Sequence, residues 1–350
     1  MTRTPIARAE RVLAAAALVA LTAACGGSGS GDPPANQPAA NASAAEPVAS
    51  VPTSPPPPEP QAVAANELGQ VPVLMYHRII AQPTSVFDRT PADFRAELER
   101  LANEGYVTVT VAQYATGDID IPAGKHPVVL TFDDGDPTQL TLTPEGEPAP
   151  DTAAAILREV AAAHPEFRGV GSFYVNGDPF GDPGGRKTLL WLRKNGMEIG
   201  NHTLSHSNLR TISAEAAQRA IVQGDQAIRA AGGAPLSISL PFGIHPRDPA
   251  LALNGSADGV EYHYRAALLV GANPARSPYS AEFDPLRIPR IRSQGPTGTE
   301  AEFGSTVWLD KIAAAPAQRY TSDGVADRIS YPEASGATVA ETYRARANAY

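Results

Sequence analysis

Val128-Val-Leu-Thr-Phe-Asp-Asp-Gly135 is the stretch on which the fold turns. A short apolar run between Pro127 and Gly135 reads as a buried strand. Asp133 and Asp134 then sit where that strand reaches the surface, the edge at which α/β folds bind ligands. Successive strand residues point to opposite sides, so the two carboxylates can do different jobs, one holding a metal and one moving a proton. The competing reading is a plain Asp-Asp-Gly turn. Gly200-Asn-His-Thr-Leu-Ser-His206 tips the balance. It follows a second apolar strand candidate at 197–199. A spacing of four places His202 and His206 on one face of a helical turn, where two imidazoles can share a cation.

Outward from these stretches, strands and helices alternate. A strand at 71–75 ends in Tyr76-His77, and Thr90-Pro-Ala-Asp93 opens a helix to 104 that stops at Gly105. Strands follow at 106–111 and 128–132. The polar stretch 136–150 has no periodicity and reads as a loop at the rim of the site. Asp151 then caps a helix to 163. Next come a strand at 170–175, a helix at 188–194, a helix from Ser213 to 231, and a strand at 236–240 entering Pro241-Phe-Gly243. Strands at 264–270 and 287–291 complete the series, which implies parallel β-α units. Beyond 291 the pattern offers a helix at 300–315, a strand at 326–331 and a loose terminus.

The chain has 350 residues and a net charge of −9. Its first 24 residues carry three Arg against one Glu, so the remainder stands at −11. That balance argues against nucleic acid or a strongly anionic polymer as partner. Arg3, Arg8 and Arg11 precede an apolar run at 12–24, too short for a bilayer-spanning helix of ~20 residues but suited to a secretory signal. The run ends in Leu21-Thr-Ala-Ala-Cys-Gly26, which resembles a bacterial lipoprotein cleavage box. Cys25 is the only cysteine, so internal disulfides are excluded and Cys25 is the expected lipidation site. The expected organisation is a signal peptide at 1–24, a lipidated, disordered Pro/Ala/Ser-rich linker at 25–66, a folded domain at 67–315 and an extension at 316–350. The expected location is outside the cytoplasm, on the membrane through the lipid.

Thr131-Phe-Asp-Asp-Gly135 and His202-Thr-Leu-Ser-His206 resemble the first two motifs of the polysaccharide deacetylases, carbohydrate esterase family four. Trp191-Leu-Arg-Lys-Asn-Gly-Met-Glu-Ile-Gly-Asn-His202 resembles that family's approach to its second motif. Val71-Pro-Val-Leu-Met-Tyr-His-Arg-Ile79 resembles the opening strand of the poly-N-acetylglucosamine deacetylase branch, and Leu286-Arg-Ile-Pro-Arg-Ile291 a late family strand. The resemblance spans 71–291. It implies an α/β fold, a distorted barrel of about seven strands. It implies Asp134, His202 and His206 as ligands of a divalent metal, zinc first with cobalt or nickel as alternatives. Three protein ligands with a position left open is the arrangement of catalytic zinc. Asp133 becomes the general base, and the reaction becomes removal of N-acetyl groups from amino sugars of a glycan. Within Pro241-Phe-Gly243 the Phe242 N–H is the expected oxyanion donor.

Two departures follow. Ser239 stands where the family has an Arg that orients the catalytic Asp, and no late Leu-x-His motif supplies the general acid. Among His77, His245 and His263, His77 is the expected acid because it ends the first strand. Arg290, inside a late apolar strand, is the expected replacement cation, since a buried Arg there needs a partner. Two other functions fit the residues: a degenerate glycan-binding lipoprotein without turnover, and a non-haem iron oxygenase built on two His and one carboxylate.

Overall fold

The computed structural model describes residues 56–350; the signal-like segment, Cys25 and most of the Pro-rich stretch lie outside them. The strand expected around Val128 is β3 of a series that alternates as the sequence implies. In order the elements are β1 (Val73–Tyr76), α1 (Pro91–Asn103), β2 (Tyr106–Val109), α2 (Val111–Thr116), β3 (His126–Phe132), α3 (Ala153–Ala163) and β4 (Ser172–Val175). There follow α4 (Arg186–Lys194), β5 (Glu198–Asn201), α5 (Ala214–Ala230), β6 (Ser237–Ser239), β7 (Asn254–Ala257), β8 (Val260–His263) and β9 (Ala266–Leu268). The last are β10 (Ile291–Arg292), α6 (Ser305–Ala314), β11 (Ile329–Tyr331) and β12 (Ala347–Ala349).

The main sheet runs β10-β1-β3-β4-β5-β6-β9, with β2 attached to β3, and its pairings are parallel. The residues leading into β10 also bridge β9, Ile288 opposite Leu268. The sheet therefore curls until its two edges share one strand, the distorted seven-stranded barrel that the family resemblance implies. Because the strands are parallel, their C-terminal ends meet at one rim.

Side-chain alternation along β3 divides inside from outside. Val128, Leu130 and Phe132 join the outer core with Phe94 and Leu98 of α1 and Leu157 of α3. Val129 faces the other way, with Val73, Val107 and Leu268, and Thr131 donates to the Leu74 carbonyl. Asp133 continues the inward parity and is 2% exposed. Thr90 accepts from the Asp93 N–H and Pro91 follows it, which fixes the start of α1.

Several local expectations are corrected. The strand expected over 106–111 ends at Val109, because Thr110 and Gln113 form a capping box that starts α2; the β-branched alternation of the stretch hid that signal. Thr152, not Asp151, caps α3. The last residues are packed rather than loose. β11 pairs with β12, Tyr320 and Ile329 are fully buried, and the Tyr350 hydroxyl donates to the Ala65 carbonyl at 2.7 Å. Ala65 and Asn66, placed in the linker by composition, are likewise buried. Glu67 ties the two ends together. It accepts from the Tyr320 and Ser322 hydroxyls at 3.2 and 3.3 Å and from the Ser330 N–H at 2.8 Å.

Candidate active site

Four strand ends deliver the chemistry to the rim. β1 is followed by His77, β3 by Asp133 and Asp134, β5 by His202, and β6 by the Pro241–Gly243 turn. Asp134 takes a left-handed backbone, φ 78°, so it leaves the strand's alternation and turns outward. Its side chain is 43% exposed against 3% for Asp133.

His202 and His206 do not sit on a helical turn as the spacing predicts. Residues 202–206 form an irregular loop in which Thr203 and His206 have φ of 61° and 51°. Asn201 accepts from the Thr203 N–H at 2.8 Å, and Asn176 donates to the carbonyls of His202 and Thr203 at 2.8 and 2.9 Å. These side chains supply backbone bonds that a helix would have made internally. The result still brings both imidazoles to one point. Nε2 of His202 and of His206 lie 3.4 and 3.7 Å from Oδ1 of Asp134.

Donors around one ion at about 2.0–2.1 Å in a tetrahedron are about 3.3 Å apart, so these spacings fit a single cation. His202 Nδ1 lies 2.7 Å from the Ser239 carbonyl. A carbonyl only accepts, so Nδ1 carries the hydrogen and Nε2 of the neutral ring keeps its lone pair for a ligand bond. Burial alone would push His202 down, yet Asp133 and Asp134 hold it above its ordinary value. The same negative field that favours a proton there favours a metal. His206 goes the other way, lowered by burial and by His202.

Asp133 lies beneath the cluster. Arg290 grips it with both arms, Nη1 to Oδ1 and Nη2 to Oδ2, each 2.7 Å. The guanidinium is fully buried and is itself fixed by Nε donating to the Leu269 carbonyl at 2.8 Å. The Ser239 hydroxyl adds one bond to Asp133 Oδ2 at 3.1 Å. Burial would raise the Asp133 carboxyl, but Arg290 beside it, then His202 and His77, hold it well below the usual carboxylate range.

His77 Nε2 is 4.0 Å from Asp133 Oδ2, its ring packs on Phe87 at 4.9 Å, and burial lowers it despite the pull of Asp133. The other two histidines lie elsewhere: His245 Nε2 is bound to the Leu286 carbonyl and His263 Nδ1 to Asn254. Phe242 has φ 61°, and its ring, 56% exposed, stands edge-on to His206 at 4.6 Å. Gly243 after it has no substitute. A Cβ there would lie 2.3 Å from the Val270 nitrogen.

Residues 120–255 match the polysaccharide deacetylase family model. Over that stretch the chain is similar to the polysaccharide deacetylases. The match takes in Asp133, Asp134, His202, His206 and Phe242, while His77 lies before it and Arg290 after it. No curated protein matches. Among solved structures, the chain is similar to the deacetylase PplD of Streptococcus pyogenes, solved with acetate, at 18% identity over 64% of this chain and 92% of that one, TM-score 0.47. It is similar to a polysaccharide deacetylase of Bacillus cereus at 19% identity over 64% of each, TM-score 0.47. It is also similar to IcaB of Ammonifex degensii at 18% identity over 71% and 97%, TM-score 0.44.

Sequence reasoning missed the residues that hold this site in shape. Asn176 and Asn201 each close a strand, a place where a polar residue is a usable signal. Gln139 is fully buried and bonds the carbonyls of Asp133 and His77 from within the polar loop, where nothing in the sequence marks it.

Proposed function

We propose that this chain is a metal-dependent hydrolase that removes N-acetyl groups from amino sugars of a cell-envelope or extracellular glycan. One observation carries the reading: a buried carboxylate, gripped by a guanidinium, lies directly beneath a three-donor cluster. Asp134, His202 and His206 would hold a divalent ion, zinc before cobalt or nickel. Such an ion polarises a carbonyl and makes a water more acidic.

The chain's own groups do the rest. Asp133, kept ionised by Arg290, still has a lone pair free after its bidentate contact and takes the proton of the attacking water. The Phe242 N–H stabilises the developing oxyanion. His77, 4.0 Å from Asp133, would pass the proton that Asp133 has taken on to the departing sugar amine. Arg290 holds Asp133 in the orientation that transfer needs.

Two features motivate the reading of a degenerate binder: Arg290 beside Asp133 speaks to the first, Ser239 in place of an Arg, and His77 at 4.0 Å from Asp133 to the second, the missing late His. The iron-oxygenase reading leaves Asp133 and Arg290 without a role. The test is mass spectrometry of chitin oligomers, poly-N-acetylglucosamine and peptidoglycan fragments after incubation with zinc-loaded protein. Loss of acetyl mass from one of them is expected, and unchanged masses in all three would sink the proposal.

Cys25 lies outside the described residues. From the sequence we propose that it is lipidated and anchors the exported protein to the membrane, where stable attachment takes more than one acyl chain. Cys25→Ala should abolish lipid labelling and membrane partitioning; a soluble wild-type protein with an unmodified Cys25 would refute the anchor.

A further inference from the structure

A cavity of about 580 Å³ opens between α1, α6 and the loops 83–89 and 293–297. Ligand pockets run to roughly 300–1,000 Å³, so this one has room for a sugar unit. Its floor is the Glu97 carboxylate, 6% exposed. Glu97 accepts from the Tyr76 hydroxyl at 2.7 Å, the Ser293 hydroxyl at 2.6 Å and the Ser305 hydroxyl.

Most other charges here are already paired. Asp88 is bound by Arg78 at 2.7 Å, and Arg100 by Glu104 and Asp310 at 2.8 and 2.7 Å. Asp93 also lines the cavity and among the described residues accepts only from the Thr90 hydroxyl. Among the lining cations Arg89 is the exception. It is half-buried, its Nε is shielded from solvent with no partner, and among the described residues no group accepts a hydrogen bond from its guanidinium. A guanidinium has five donors; the Nε–H is the shielded one, whose lack of a partner is costly, and the Nη groups have no protein acceptor among the described residues. A ligand with acceptor oxygens would satisfy them.

The charge balance selects the kind of ligand. Arg89 is the unpaired cation of the lining, and the carboxylates of Glu97 and Asp93 offset it, so no positive field draws in an anion. A neutral group with carbonyl and hydroxyl oxygens fits better. Val86, Pro296 and Leu309 give the same cavity an apolar side. A pyranose ring carrying an acetamido group has both characters.

The cavity is joined to the reaction centre by one loop. Ser85, Val86 and Arg89 line the cavity, whereas Phe87 between them turns onto the His77 ring at 4.9 Å. Arg292 covers the Phe87 ring at 5.6 Å. The loop is pinned at both ends, by the Ile79–Arg89 bridge and the Arg78–Asp88 ion pair. We propose that this cavity is a distal sugar subsite, which takes a neutral N-acetylhexosamine unit of the same glycan chain whose reacting unit lies at Asp133 and His77. The proposal rests on the glycan-deacetylase reading and names where such an enzyme gains its preference for oligomers.

The test uses the full-length zinc-loaded protein and penta-N-acetylchitopentaose as probe. Calorimetric titration is done on Asp133→Asn, so that turnover does not interfere, and on the same protein with Arg89→Ala or Gly295→Trp added. Gly295 does not have a left-handed backbone, and a Cβ there would meet only Arg89 Nη1 at 3.9 Å. A Trp at that position therefore grows into the cavity without straining the chain. Both additions should weaken pentamer binding about tenfold or more. In the active background, Arg89→Ala should raise KM for the pentamer by a similar factor while kcat/KM for 4-nitrophenyl acetate stays at the wild-type value. Equal pentamer affinity in all three proteins, no pentamer binding at all, or a parallel loss of the small-ester reaction would each overturn the subsite. A wild type that binds the pentamer through Arg89 but releases no acetate from any glycan refutes the deacetylase reading and leaves the subsite standing.

Discussion

Arg290→Ala should cut turnover by about a hundredfold or more while leaving the metal content unchanged. No hydrogen bond or ion pair joins the guanidinium to Asp134, His202 or His206; its effect should come through Asp133, which it holds by two 2.7 Å bonds. Without it the Ser239 hydroxyl, at 3.1 Å, is a single neutral donor that cannot fix the plane of a carboxylate. Stability should fall too, by about 3–5 kcal/mol, the usual cost of stripping one partner from a buried ion pair.

The pH dependence has a definite sign. Asp133 is depressed below its ordinary 3.8, so the pair contributes fully above that value and is lost as pH falls through the lower, folded one. The stability gap between wild type and Arg290→Ala should therefore be wide near neutrality, start to narrow below about pH 4 and close only as pH falls through the depressed folded value. Denaturant titrations across pH, with metal analysis and steady-state kinetics, check all three points. Unchanged turnover would remove Arg290 from the mechanism. Recovery of activity by Ser239→Arg in the Arg290→Ala background would show that the carboxylate needs a guanidinium from either strand.

His202→Ala should abolish both metal binding and activity. His202 is 1% exposed, its tautomer is set by the Ser239 carbonyl, and its loss leaves two donors, one of them on an exposed carboxylate. Losing metal polarisation worth several kcal/mol corresponds to about three or more orders of magnitude in rate. Adding zinc should raise the melting temperature of wild type, because a ligand that binds only the folded state stabilises it, and should not do so for His202→Ala. Asp133→Asn provides the contrast, with metal and thermal shift kept and turnover lost. Equal zinc content in wild type and His202→Ala would refute the ligand assignment.

What the sequence makes legible is what depends on short-range pattern. The apolar run into Asp133-Asp134, the alternation of strands with capped helices, and the strand-end placement of His77 and His202 all follow from periodicity and turn residues. The conformation of 202–206 does not. Its positive φ values are sustained by Asn176 and Asn201, bonds that periodicity cannot express. α2 was hidden because Val107, Val109 and Val111 alternate like a strand through a capping box. The C-terminal residues carry too weak an apolar pattern to announce a packed segment; their burial comes from Tyr320, Ile329 and Val339 joining a core whose other members are far away in the chain. Arg290 is a middle case. Its place in an apolar strand demands a partner, but which carboxylate it meets is decided by the curl of the sheet.

The clasp at Glu67 bears on the order in which this chain can finish folding. Asn66 bonds Ala317 across 251 residues, Glu67 bonds Ser330 across 263, and Tyr350 bonds Ala65 across 285. β1, made early, finds one of its two sheet neighbours only in β10, Leu74 opposite Ile291. Such long closures carry a chain-entropy cost and slow the search. As the chain is made from its N-terminal side, β1 stands with an open edge until residues 291 and 292 have been made, and residues as late as Tyr350 lock the first folded ones. Assembly of the domain therefore waits on its late residues, and the candidate site is completed together with the clasp that joins residues 65–67 to 317–350.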